Sequence, residues 1–109
     1  MKIHVEVFIA AQILGKNQSV FSPQDLMGFI RREFKDERHG INTHVTAASV
    51  ANAPLNHANG YNYLWRLYQG EYRPFRQGQD LPKSERQNDR SQPLPVDVPE
   101  KYYYLLRKE

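Results

Sequence analysis

The sequence predicts an α+β domain, mainly α, over residues 1–76, with a C-terminal extension to residue 109. Three stretches carry that prediction. "SPQDLMGFIRREF" combines a helix start with an apolar stripe at helical spacing. "GINTHVTAASVANAP", residues 40–54, has helical periodicity but contains no Lys, Arg, Asp or Glu. "YNYLWRLYQGEYRPF" is a pair of aromatic-rich runs around Gln69-Gly70, the pattern of a β-hairpin.

Residues 2–15 fit two patterns. Ile3, Val5, Val7 and Ile9 alternate as in a strand, whereas Ile3, Val7, Ala10 or Ala11, and Leu14 line one helical face. A helix stopped by Gly15 is the preferred assignment. Val20 and Phe21 read as a very short strand. Ser22 is then a strong N-cap, Pro23 suits the first helical position, and Asp25 completes a capping box. Phe21 and Leu26 occupy the staple positions. Leu26, Phe29, Ile30 and Phe34 form the apolar stripe of this second helix; Arg31, Arg32 and Lys35 fall off it.

After the polar "KDERHG" a third helix is expected over about 41–52, with Ile41, Val45 and Ala48 facing inward and Asn52 and Pro54 ending it. A two-residue loop at Gln69-Gly70 would pair Tyr68 with Glu71, Leu67 with Tyr72, Arg66 with Arg73 and Trp65 with Pro74. Trp65, Leu67 and Tyr72 would then share the core face, and Pro74 is tolerated on an edge strand. Residues 77–99 hold four prolines and few large apolar side chains, so they read as a polar linker. "EKYYYLLRKE", residues 100–109, turns apolar again and needs a cover.

Composition narrows the function. Only 39% of residues are apolar and the mean hydropathy is −0.77, so the core is modest. The chain has no cysteine, which excludes disulfides, thiol chemistry and zinc sites built on Cys, and suits a cytoplasmic location. "IHVEVFIAAQILG" is too polar for a signal peptide and too short to cross a bilayer, so no membrane partner is expected. The net charge is +3 with pI about 9.3. Residues 21–76 hold seven Arg/Lys against five Asp/Glu, while residues 77–109 hold six of each. This mild basic bias is compatible with polyanion binding.

No catalytic set is evident. Glu33-Phe34-Lys35 has the E-x-K form of a nuclease site, but such sites need the pair on a strand, with a neighbouring Asp holding Mg²⁺. His4, His39, His44 and His57 show no metal-ligand spacing. Neither a metal nor another cofactor is expected, and the protein reads as a non-enzyme.

The order helix, tiny strand, capped helix, helix, hairpin is that of a winged helix-turn-helix. In that architecture the third helix enters the major groove of DNA. A groove-facing helix needs short side chains, Asn and Thr for base edges, apolar carbon for thymine methyls, and no acid. Residues 42–52 meet these needs, with Asn42, Thr43, Thr46 and Ala47 as the candidate base contacts. The plainer alternative is a half-buried helix whose small residues allow close packing. Arg31, Arg32, Lys35, Arg38, His44, Arg66, Arg73 and Arg76 are the candidate backbone contacts. Arg66 facing Arg73 across the hairpin would be repulsive unless a phosphate sat between them, solvent screened them, or one of them paired with Glu71. His44 and His57 can each reach a phosphate, but a structural hydrogen bond is the commoner fate of such a ring.

The stretch from Phe21 to Phe75 resembles an uncharacterised family of winged helix-turn-helix domains found alone or beside restriction-endonuclease-like domains. The resemblance lies in "FSPQDLMGFI", "INTHV", "NAPLNH" and "YLWRLYQGEYRPF". Where that family usually has a basic residue after the helix-opening Ile, this chain has Asn42. The resemblance implies DNA binding, without saying which DNA or to what end; the expectation adopted is a double-stranded-DNA-binding protein serving in transcription regulation or as an accessory of a DNA-processing or restriction system. On that basis the C-terminal segment is expected to make a homodimer, since two linked half-sites raise affinity. Folding back onto the first helix is the alternative. A module that binds protein is the rival function, and it would expose a contiguous apolar patch instead of a positive one.

Overall fold

The first helix, α1 (Ile3–Gln18), is buried on every side over the stretch from His4 to Ala11. This accounts for the two patterns in the sequence, because a sheathed helix carries apolar residues at every phase. The computed structural model describes residues 1–55, 59–68 and 70–107.

Gly15 does not stop α1, which runs on to Gln18 and ends where Ser19 takes a φ of 61°. Gly15 serves a different purpose. A Cβ there would collide with the Cγ and Cδ of the Pro74 ring, so its bare Cα is the seat for that ring. Gly15→Ala is therefore expected to destabilise despite alanine's better helix propensity, worth about 1 kcal/mol. The overpacking cost is about 1–3 kcal/mol, and a denaturant midpoint at or above the parent's would contradict the argument.

Phe21 pairs with Tyr72 in both directions, at 2.9 and 2.7 Å, so the tiny strand exists as a single bridge. The second helix, α2 (Pro23–Phe34), starts as its sequence dictates. Ser22 Oγ accepts from the Asp25 N–H and Asp25 Oδ2 accepts from the Ser22 N–H, each at 3.0 Å. Leu26 and Ile30 are fully buried, Phe29 and Phe34 partly so. α3 (Ile41–Thr43) continues directly into a π-helical turn, His44–Ala48. Ile41, Val45 and Ala48 are buried, as the spacing predicted. The helical segment ends at Ala48 and not near Asn52.

β1 (Leu64–Tyr68) and β2 (Glu71–Pro74) form one antiparallel sheet, and the fold is α+β. Its register corrects the expected one. Tyr68 does oppose Glu71, but Arg66 opposes Tyr72, Trp65 opposes Arg73 and Leu64 opposes Pro74. A bulge between Arg66 and Tyr68 absorbs Leu67, so everything before it shifts by one residue. Leu64 and Tyr72 are buried, while Leu67 is exposed. Gln69 lies outside the described residues.

Residues 77–99 are not a loose linker. Arg86, Pro93 and Val98 are buried there, in a chain path that wraps the domain. Three hydrogen bonds lay it down: the Lys83 N–H to the Ala51 carbonyl (3.1 Å), the Asn62 N–H to the Arg90 carbonyl (2.7 Å), and Asn62 Nδ2 to the Arg86 carbonyl (2.9 Å). The polar composition misled because hydrogen bonds to backbone carbonyls hold this path beside the few apolar contacts of Pro93 and Val98. A 3-10 segment, Glu100–Leu105, then packs on α1. Tyr102 and Leu105 are buried, and the Tyr102 hydroxyl donates to Glu33 Oε2 at 2.9 Å. Fold-back within one chain thus covers these two side chains and gives Glu33 a structural partner; Tyr103 and Tyr104 stay exposed. Among the described residues no helix is long and apolar enough to cross a membrane.

Candidate nucleic-acid interface

The uncharged segment begins at Gly40, whose φ of 93° admits the sharp entry into α3. Asn42 and Thr43 are exposed, while Thr46 and Ala47 are half-buried. Thr46 Oγ1 turns back to donate to the Asn42 carbonyl at 2.8 Å. The wide turn closes with the Ser49 N–H donating to the His44 carbonyl at 3.0 Å.

This segment and the hairpin are bound together. Asn52 donates through Nδ2 to the Arg66 carbonyl (2.8 Å) and accepts the Arg66 N–H on Oδ1 (2.9 Å). Its side-chain amide thereby imitates a strand partner for β1. The Arg66 guanidinium donates to the Thr46 carbonyl at 3.1 Å and lies over the Tyr72 ring. At the other end, a cleft of about 440 Å³ lies between α2 and α3, with Arg31, Arg38, His39 and Asn42 among its walls. Arg31, Asn42, Thr46 and Arg66 thus follow one another across a connected surface.

Other candidate cations have different fates. Arg31, Arg32, Lys35 and Arg76 are exposed. Arg73 does not face Arg66: it makes a paired contact with Asp80, both bonds 2.7 Å, and its side chain is only 12% exposed. The Arg66–Arg73 phosphate clamp is therefore corrected, since the bulge separates the two and Asp80 neutralises one. Arg38 grips Asp36 with Nε and Nη2 and donates to the Met1 carbonyl at 2.7 Å. His44 bonds through Nδ1 to the Gly40 carbonyl at 3.1 Å, the structural use of that ring. His57 lies outside the described residues.

Three buried features escaped the sequence reading. The first is Arg86, fully buried, whose N–H groups reach the carbonyls of Ala47, Ala48, Ala53, Pro54 and Tyr61 at 2.7–3.2 Å. Nothing in "KSERQND" marks it; the one local hint is Asp89 three residues on, at 3.9 Å. Burial lowers its pKa. Gly60 gives it room, since a Cβ there would stand 2.7 Å from Asp89 Oδ2 and 3.3 Å from Arg86 Nη1.

The second feature is Glu6, 3% exposed in the middle of α1. Burial, then a hydrogen bond with Asp36 and that residue's charge, push its pKa up to about 8. Asp36 is held well below the usual carboxylate range by Arg38. The third is His4, stacked on Tyr61 at 4.1 Å between ring centroids and bonded through Nδ1 to the Tyr63 hydroxyl at 2.9 Å. Burial drives its pKa down to about 4, so this ring is a neutral core group.

The exposed chemistry is accordingly amide and hydroxyl from Asn42 and Thr43, flanked by guanidinium on α2 and β1, with the Glu37 carboxylate in the wall of the same cleft. Among the described residues no three His, Asp or Glu stand together as metal ligands. Compared with known proteins, the chain matches no family model, no curated protein and no solved structure.

Proposed function

We propose that the chain is a winged helix-turn-helix domain that binds duplex DNA without catalysing a reaction on it. The helix from Ile41 enters the major groove and the β1–β2 hairpin is the wing on the flanking backbone. One observation carries this reading: Asn42 and Thr43 are exposed at the start of an uncharged helix that has Arg31 across a cleft on one side and Arg66 bonded to it on the other. Asn can pair with adenine and Thr can meet a thymine methyl. Half-buried Thr46 and Ala47 lie at the margin of that contact. A transcription regulator, or an accessory of a restriction or other DNA-processing system, is the role such a domain fills.

The phosphate contacts are Arg31, Arg32, Lys35, Arg66 and Arg76; Arg38 and Arg73 drop out because carboxylates hold them. With four or five of these engaged, log K against log salt is expected to fall with a slope of about −4. The check is a titration of random duplex at several salt concentrations. A flat response, or no complex at low salt, would remove the DNA reading. It would favour a protein partner at the hairpin end, where Leu67 and Tyr68 are exposed.

Base reading is tested separately. Asn42→Ala is expected to cost roughly 1–3 kcal/mol on a duplex selected from a random library, and much less on unselected DNA. Equal losses on both would make Asn42 a backbone contact.

A further inference from the structure

We infer that Arg86 is a positioning residue for the reading helix: it holds the end of that helix in its π-helical form, and so makes residues 83–90 part of the DNA-reading unit. The consequence for DNA rests on the function proposed above; the effect on helix geometry does not.

The periodicity of residues 41–52 suits a continuous α-helix. In that form the carbonyls of Ala47 and Ala48 would accept the N–H groups of Ala51 and Asn52. Instead, the Ala51 N–H donates to the Leu64 carbonyl at 2.8 Å. Arg86 Nη2 takes the Ala47 carbonyl at 2.8 Å and Nη1 takes the Ala48 carbonyl at 3.1 Å. The remaining donors of the same fork reach Ala53, Pro54 and Tyr61, in the chain that leaves the helix and returns to β1. Guanidinium offers five N–H donors in a fixed plane, so one side chain satisfies carbonyls splayed from three directions. The negative end of the helix further favours a cation here.

Without Arg86 the Ala47 and Ala48 carbonyls keep the Val50 N–H (3.1 Å) and the Tyr61 N–H (2.8 Å), but the guanidinium link from the helix end to the carbonyls of Ala53, Pro54 and Tyr61 is lost. The helix end is then free to loosen, which pulls Asn52 off the Arg66 backbone. The reading helix and the hairpin would then lose their fixed relation. Phosphate contacts by flexible cations tolerate such a change, whereas base contacts by Asn42 and Thr43 do not.

The test uses Arg86→Lys, which keeps the charge but not the planar fork, in the full chain. Amide hydrogen exchange at Ser49 and Ala51 reads the geometry. Affinity for a library-selected duplex, relative to a scrambled duplex of the same composition, reads the function. The expected result is lost protection at both amides with α1 unchanged, and a selected-to-scrambled ratio reduced roughly tenfold or more. Affinity for the scrambled duplex should change less than about threefold. Retained protection, or equal losses on both duplexes, overturns the inference. If wild type selects no duplex, the proposed function fails, and exchange alone decides the geometry. If Arg86→Lys does not fold, native-state exchange of the wild type decides instead. Ser49 and Ala51 should open together with Arg86 and Asp89, before α1; independent opening overturns the inference.

Discussion

Arg86→Met is expected to leave the protein largely unfolded at room temperature. Methionine fills much of the volume but offers no donor, so five backbone carbonyls lose the guanidinium; those of Ala47 and Ala48 keep the Val50 and Tyr61 N–H groups, and those of Ala53, Pro54 and Tyr61 are left to find another donor. An unsatisfied buried acceptor costs about 1–3 kcal/mol. Even with other donors rescuing some of them, the loss is on the order of 5 kcal/mol, comparable to the whole stability of a small domain, about 5–15 kcal/mol. Buried ion pairs can sometimes be replaced by apolar side chains at no cost, because both partners are exchanged. That escape is closed here, since the acceptors are main chain. Urea unfolding followed by circular dichroism measures the effect. A folded variant within about 1 kcal/mol of the parent would show that the carbonyls find other donors.

The second large effect is a dependence of stability on pH that is flat at mildly acidic pH and falls on both sides. Glu6 is raised from 4.5 to about 8 in the fold. Between those values the folded chain holds a proton that the unfolded chain releases, so Glu6 makes stability fall as pH rises. His4 is lowered from 6.5 to about 4, so between those values the unfolded chain holds the extra proton, and stability falls as pH drops. From about pH 4.5 to 6.5 the two slopes oppose each other and cancel. Above pH 6.5 only Glu6 acts, and the expected loss by pH 8 is about 2 kcal/mol. Below pH 4.5 His4 acts down to about pH 4, and below 3.8, the unfolded value of Asp36, the contribution of that carboxylate is lost in turn. Glu6→Gln removes the ionisation but not the hydrogen-bonding group beside Asp36. Its stability should stay level from pH 6.5 to 8, where the parent's declines. An identical decline in both proteins would place the cause in another group.

What could be read without the structure was local. Ser22, Pro23 and Asp25 sit within one turn of each other, and their capping geometry depends on nothing distant. The inward faces of α2 and of the 41–48 segment follow from spacing alone, and Leu26, Ile30, Ile41 and Val45 are buried as that spacing requires. The element order, up to the hairpin, follows from the same signals. Asn42 and Thr43 were legible as exposed polar side chains because they fall off a short apolar stripe.

Tertiary structure decided the rest, because the deciding partners are far apart in the chain. Gly15 is a helix stop by local rule, yet the helix runs on to Gln18, and it is Pro74, from the hairpin, that takes the space a Cβ would fill. The hairpin register hung on one bulge, and no propensity distinguishes Leu67 in a bulge from Leu67 in a ladder. Arg73 looked like a phosphate ligand until Asp80 was brought beside it. Residues 77–99 looked unfolded because apolar content is what local reading counts, whereas this segment is held by hydrogen bonds to main chain. Arg86 is the extreme case. Its sequence neighbours are polar and its partners, Ala47 to Tyr61, lie 25 to 39 residues away. A sequence displays which groups can donate and accept; only the assembled fold decides which of them meet beyond the reach of water.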